Sequence, residues 1–214
     1  MPELQLGSFT VNPFAENTYV IDNGEAAILF DPGFFNESDF SEFKNYLNTR
    51  ELTLENIVLT HGHIDHVLGL NRVKQAYDVP AYMHEADQTF IDKVEQQGMM
   101  FGVRIQPIDI EFLPLRENAN LKIGSFEFDA RHVPGHAPGH FIFYAADAGF
   151  VIAGDTLFRE SIGRTDLFQG DFELLSSSIK SKMYSLPEET VVYPGHGPET
   201  TIGHEMKHNP FVRG

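Results

Sequence analysis

Apolar positions recur along the chain with two periods, one near two residues and one near three to four, so strands and helices alternate. Short apolar or alternating runs at Leu4–Val11, Thr18–Ile21, Ala26–Phe30 and Ile57–Leu59 predict strands. Asn12-Pro13 turns the first run into the second, and Asn23-Gly24 is a strong hairpin signal before the third. Asp31-Pro32-Gly33 ends that third strand, and Asp31 reads as a turn former there in preference to a helper at a metal site. Residues Glu37–Asn48 carry Phe40, Phe43 and Leu47 at helical spacing. Residues Asp65–Tyr77 do the same with Val67, Leu68, Leu70 and Val73. Pro80–Met83 predicts a short strand, His84 a surface position or the start of a helix, and Glu85–Gln97 that helix. Gly98–Pro114 shows no period and predicts a long loop, either folded on the core or covering a site.

The second half is richer in strands. Leu121–Ile123, Phe126–Ala130, Phe141–Ala145, Phe150–Ala153 and Val191–Tyr193 read as strands, with Gly124 as a turn. Asp171–Tyr184 and Ile202–His208 read as helices. No linker or short repeat divides the chain. Each half opens with antiparallel strands and ends with strand–helix units. This predicts one α/β domain over residues 1–214, two sheets face to face with helices outside.

Composition changes the picture mainly by exclusion. The 214 residues can bury a substantial core without covalent staples. There are no cysteines, which removes disulfides, thiolate ligands and thiol nucleophiles. Fifteen basic residues against 31 acidic ones give a net charge of −16. A nucleic-acid or anionic-membrane partner would require a basic face, so neither is expected. No signal-peptide pattern and no membrane-length apolar run appears, so a cytoplasmic protein is expected.

The chemistry concentrates at Leu59-Thr60-His61-Gly62-His63-Ile64-Asp65-His66, where a strand turns into a helix. Three imidazoles and a carboxylate at this spacing are ligands that zinc, iron and manganese accept. His61 and His63 alternate along an extended segment and point the same way, while Asp65 and His66 open the helix, which suggests two adjacent metal positions. His136, Asp155 and His196 share one feature with this turn: each lies just past an apolar strand, in a Gly- or Pro-rich turn.

In order and spacing, the Thr60–His66 motif, His136, Gly154-Asp155 and Gly195-His196-Gly197 resemble the metallo-β-lactamase superfamily. That resemblance implies an αββα four-layer sandwich with a dinuclear site. It assigns His61, His63 and His136 to one metal ion, Asp65, His66 and His196 to the other, and Asp155 to a bridge. Gly154-Asp155-Thr156-Leu157-Phe158, Gly163-Arg164-Thr165-Asp166 and Asn209-Pro210-Phe211 resemble the glyoxalase II group, above all its short bacterial hydrolases. The helical C-terminal domain that carries basic glutathione-binding residues in full-length glyoxalase II has no counterpart in these 214 residues.

The resemblance implies two divalent ions, zinc first with iron or manganese as alternatives, and Asp65 and Asp155 as catalytic residues that orient the nucleophile. Two ions about 3.5–4 Å apart can hold a hydroxide near neutral pH. The expected reaction is hydrolysis of a small-molecule thioester such as S-D-lactoylglutathione. The rival expectation is a mononuclear iron persulfide dioxygenase, using His61, His136 and Asp155. His132 and His140 read as structural or as partners that orient ligands. Arg164 and Asp166 read as an ion pair within the loop or, alternatively, with Arg164 near an anionic group of the substrate, and His204 and His208 as surface residues.

Overall fold

The computed structural model describes residues 3–214. Strand β2 (Glu16–Asp22) pairs antiparallel with both β1 (Gln5–Val11) and β3 (Ala26–Phe30). Helix α1 (Glu37–Thr49) follows, and its first turn closes with a capping box: Asn36 Oδ1 accepts from Asp39 N, and Asp39 reaches back to the Asn36 amide. Its apolar stripe, Phe40, Phe43 and Leu47, is buried as the spacing predicts. Phe43 stacks on Phe34 at 5.1 Å, with Phe9 edge-on to both.

Strand β4 (Thr53–Val58) pairs parallel with β3. Helix α2 (Leu70–Tyr77), strand β5 (Ala81–Met83), helices α3 (Gln88–Asp92) and α4 (Val94–Phe101), and strand β6 (Phe112–Pro114) complete a six-stranded mixed sheet ordered β1-β2-β3-β4-β5-β6. This sheet and its helices form one compact unit, the residues up to Leu115 together with Ile123–Phe126.

The second unit comprises Arg116–Lys122 and Glu127–Gly214. It is built on β7 (Asn118–Ile123), β8 (Phe126–His132), β9 (Phe141–Ala145) and β10 (Phe150–Gly154), then a two-stranded hairpin of β11 (Leu157–Phe158) and β12 (Ser161–Ile162). Helix α5 (Phe172–Ser178), strands β13 (Val191–Pro194) and β14 (Thr200–Thr201), and helix α6 (Ile202–His208) follow. Its sheet has the order β14-β13-β10-β9-β8-β7 and is again mixed, with β10 and β13 parallel. Val133, Ile142, Val151, Leu175, Ile179, Val192 and Ile202 form the core of this unit.

Several expected elements are corrected. The helix expected over Asp65–Tyr77 is two pieces, a 3₁₀ turn at Ile64–His66 and α2 from Leu70. Gly69 separates them: its amide donates to the Pro32 carbonyl at 2.8 Å and not along a helix, and a Cβ there would come within 2.8 Å of the Phe34 Cβ. The helix expected over Glu85–Gln97 also divides, into a 3₁₀ turn, α3 and α4, with Lys93 leaving helical geometry between the last two. The long loop expected over Gly98–Pro114 is shorter, because α4 runs to Phe101 and β6 begins at Phe112. His84 caps the 3₁₀ turn at Glu85–Asp87, its Nδ1 accepting from Ala86 N at 3.3 Å. No helix among the described residues is long and apolar enough to cross a membrane.

Candidate metal centre

In the first unit the donors gather where β3 and β4 end side by side. The parallel register puts Asp31 next to the Thr60–His61 segment. Asp31, which the sequence presents as a turn former, does turn the chain, with φ at 49°. Its buried carboxylate also accepts from Thr60 N at 2.7 Å, the Thr60 hydroxyl at 2.6 Å and His66 Nδ1 at 2.9 Å. These bonds decide where two imidazoles carry their protons. The Thr60 hydroxyl spends its proton on Asp31, so toward His61 Nδ1, 3.0 Å away, it accepts. His66 Nδ1 likewise donates to a carboxylate. Both rings therefore present Nε2 with its lone pair, the form a metal needs.

The remaining members of this group are held as firmly. The His61 ring lies 4.8 Å from His63 and 4.1 Å from His66. His63 packs edge-on against Phe90 at 4.7 Å. Buried Asp87 accepts from Gly62 N at 2.9 Å, which fixes the backbone between His61 and His63. Asn12 Nδ2 donates to the Asp65 carbonyl at 2.9 Å, and the Asp65 carboxylate lies 3.8 Å from His66 Nε2. Asp31, His61 and His66 each offer a ligand atom within 4.8 Å of the others. Glu16, fully buried, lies 3.8 Å from His66 Nδ1. Burial pushes its carboxyl well above the usual carboxylate range, and the His66 ring pulls the other way.

The second unit contributes three donors. His136 follows β8, Asp155 follows β10 and His196 follows β13. His136 Nε2 stands 3.5 Å from Asp155 Oδ2, and His196 Nε2 stands 3.6 Å from the same oxygen. Two ligands of a tetrahedral ion with bonds of about 2.0–2.1 Å are separated by about 3.3 Å, so these spacings are close to those of ligand pairs. His136 Nδ1 donates to the Arg164 carbonyl at 2.8 Å, which again leaves Nε2 for a metal. The donor set of both units contains imidazole and carboxylate only, which suits zinc, iron or manganese.

The other histidines of the His132–His140 run hold the frame. His140 Nε2 accepts from Asp155 N at 3.0 Å, and its Nδ1 pairs with the Thr156 hydroxyl at 3.2 Å. His132 bonds the Pro138 carbonyl at 2.7 Å and stacks on Phe141. The Arg164 guanidinium is paired twice with Asp166, at 2.8 Å each, on the exposed surface, as the loop-internal reading expects. That pair lowers the Asp166 carboxyl below its ordinary value.

Gly163 allows this loop to close. A Cβ there would overlap the Asp155 carbonyl oxygen and lie 3.0 Å from His136 Nδ1. Gly163→Ala is therefore expected to lower metal affinity about tenfold and stability by about 1–3 kcal/mol. Chelator competition and thermal unfolding check both numbers, and unchanged affinity would show that the loop tolerates the methyl group.

The sequence pattern does not mark Glu16, Asp87 or the Arg164 carbonyl, and for Asp31 it favours a turn over a role at a metal site. The post-strand rule that selected His136, Asp155 and His196 applies equally to Asp31 at the end of β3.

The sequence signature of the metallo-β-lactamase superfamily matches residues 11–196. The chain belongs to the metallo-β-lactamase superfamily. Its family is one of metallo-hydrolases, and a Bacillus subtilis relative, named probable metallo-hydrolase YqgX, is 36% identical over 206 residues, 95% of each chain. A Haemophilus influenzae protein named hydroxyacylglutathione hydrolase GloC is 36% identical over 208 residues, 94% of this chain and 95% of that one. The solved structure of TTHA1623 in a di-iron-bound form is 37% identical with a TM-score of 0.87, covering 96% of this chain and all of that one. That of the BLEG-1 B3 metallo-β-lactamase is 36% identical with a TM-score of 0.86, covering 98% of this chain and all of that one. Two mixed sheets with helices, the metallo-β-lactamase fold implied by the motifs, is the fold found. The His/Asp donors, with a di-iron relative of this fold, fit a dinuclear metal centre.

Proposed function

We propose that this chain is a dinuclear metal-dependent hydrolase that cleaves a thioester, S-D-lactoylglutathione or a close analogue, to a carboxylic acid and a thiol. The observation that carries the reading is the approach of two imidazoles to one oxygen of Asp155. A carboxylate oxygen shared by two histidine nitrogens is suited to bridging two ions. In this reading His61, His63 and His136 would hold one ion, Asp65, His66 and His196 would hold the other, and Asp155 would serve both. When bound, the ions lower the pKa of a water molecule and take up negative charge on a carbonyl oxygen. Asp65 and Asp155 orient the attacking water through their carboxylate oxygens. The Asp31–Thr60–His61 and Asp31–His66 bonds keep each Nε2 deprotonated throughout. A thioester suits such a site because its carbonyl is electrophilic and its thiolate leaves readily. The GloC relative supports the substrate class, and zinc is the first candidate metal, with iron and manganese next.

Two assays on the same metal-loaded samples test this reading: thiol release from S-D-lactoylglutathione, and oxygen uptake with glutathione persulfide. Thiol release without oxygen uptake is the expected result. Oxygen uptake by a sample holding one iron per chain would replace the hydrolase with a persulfide dioxygenase.

A further inference from the structure

Helix α6 and the residues after it hold a buried polar cluster outside the proposed ligand set. Glu205 and Asn209 are both fully buried. The Glu205 carboxylate accepts from the Thr200 hydroxyl at 2.6 Å, from Asn209 Nδ2 at 2.8 Å and from the backbone amide of Glu160 at 2.9 Å. Asn209 Nδ2 also donates to the Ser161 carbonyl at 2.9 Å. Its Oδ1 accepts from Phe211 N and Val212 N, at 3.0 and 3.2 Å, and the Tyr184 hydroxyl anchors the Val212 carbonyl at 2.6 Å.

What this cluster grips is the β11–β12 hairpin at its turn. Glu160 has φ at 55°, a left-handed conformation that is costly for a residue with a Cβ. Its amide needs an external partner to hold that shape, and Glu205 provides it. From Ser161 the chain runs two residues to Gly163, seated against the Asp155 carbonyl, and then to Arg164, whose carbonyl takes the His136 Nδ1 proton. The path from Asn209 to a proposed metal-ligand ring is thus a continuous run of short hydrogen bonds and four residues of backbone.

We propose that Glu205 and Asn209 are positioning residues: a buried clamp that sets the Glu160–Arg164 segment and, through the Arg164 carbonyl, the tautomer and aim of His136. The inference rests on the proposed role of His136 as a ligand. Outer partners of ligating histidines change metal affinity by about 10–100-fold when removed.

Two readouts test the clamp, neither of them turnover. In the metal-free protein, hydrogen exchange of the Ser161–Arg164 amides is expected to accelerate at least tenfold in Asn209→Ala. In chelator competition, the same variant is expected to lose about tenfold in metal affinity. Glu205→Ala should reproduce both effects. Glu205→Gln keeps an acceptor for the Glu160 amide and should recover most of the loss. Leu186→Ala, a core truncation elsewhere in the same unit, should leave exchange of this segment unchanged. If Asn209→Ala does not fold, Asn209→Ser, too short to reach the Ser161 carbonyl, takes its place. Wild-type exchange and affinity in the Asn209 variant, or equal losses in Leu186→Ala, would overturn the clamp. A wild-type protein that binds no metal would instead contradict the proposed function, while the exchange result would still decide whether the clamp exists.

Discussion

Asp155→Ala is expected to abolish turnover and metal retention while leaving a folded protein. Asp155 is 7% exposed and sits in the turn after β10, between the Nε2 atoms of His136 and His196. Removing its carboxylate takes away the anion that both rings approach and the proposed bridge with it. The loss in kcat/KM should be on the order of 10³-fold or more, about 4 kcal/mol of transition-state stabilisation. The fold should survive, because the turn is held by backbone. Asp155 N donates to His140 Nε2, and Gly195 N donates to the Gly154 carbonyl at 2.8 Å. Circular dichroism and metal analysis on the same sample read the two halves of this prediction. Full activity in the variant would remove Asp155 from the centre.

Asp31→Asn should be nearly as damaging although Asp31 is assigned no metal bond. The carboxylate accepts three hydrogen bonds, and an amide has only one accepting oxygen. If the amide nitrogen faces His66, it donates to Nδ1. The ring proton then moves to Nε2, which can no longer bind a metal. If the nitrogen takes the other position instead, it confronts the Thr60 backbone N–H, and the clash displaces the segment that carries His61. Either orientation should lower metal affinity by about 10–100-fold. Stability should fall by about 2–3 kcal/mol, the worth of hydrogen bonds to a buried charged group. Chelator competition gives the first value, denaturant unfolding of the metal-free protein the second. Wild-type affinity in this variant would show that the imidazole tautomers are set elsewhere.

The contrast between these two aspartates shows what was legible in the sequence. Asp155 announces itself, because an apolar run, Phe150–Ala153, delivers it into a glycine turn. His136, His196 and the His61–His66 turn carry the same signal. Asp31 follows an equally apolar run, but Pro32-Gly33 gives it a sufficient local explanation. Its second task depends on β3 and β4 being parallel neighbours, a long-range pairing that local patterning does not contain. Glu16 was hidden for the same reason, since a glutamate at a strand start reads as exposed. Among the elements, α1 was legible because its apolar residues, Phe40, Phe43 and Leu47, fall on one buried face. The break before α2 was not, because Val67 and Leu70 are buried on both sides of it and continue one period across the gap. The β11–β12 hairpin has two residues per strand, too few for any periodicity, yet it carries the carbonyl that holds His136.

The central claim is a centre that works with two ions, and a metal titration tests it most directly. Metal-free protein is given zinc, iron or manganese in sub-stoichiometric steps, with metal content and thiol release from S-D-lactoylglutathione measured at each step. The account predicts that the rate rises until about two ions are bound per chain and then stays level. A rate that is maximal at one ion per chain, or that persists when the protein is stripped of metal, would contradict it.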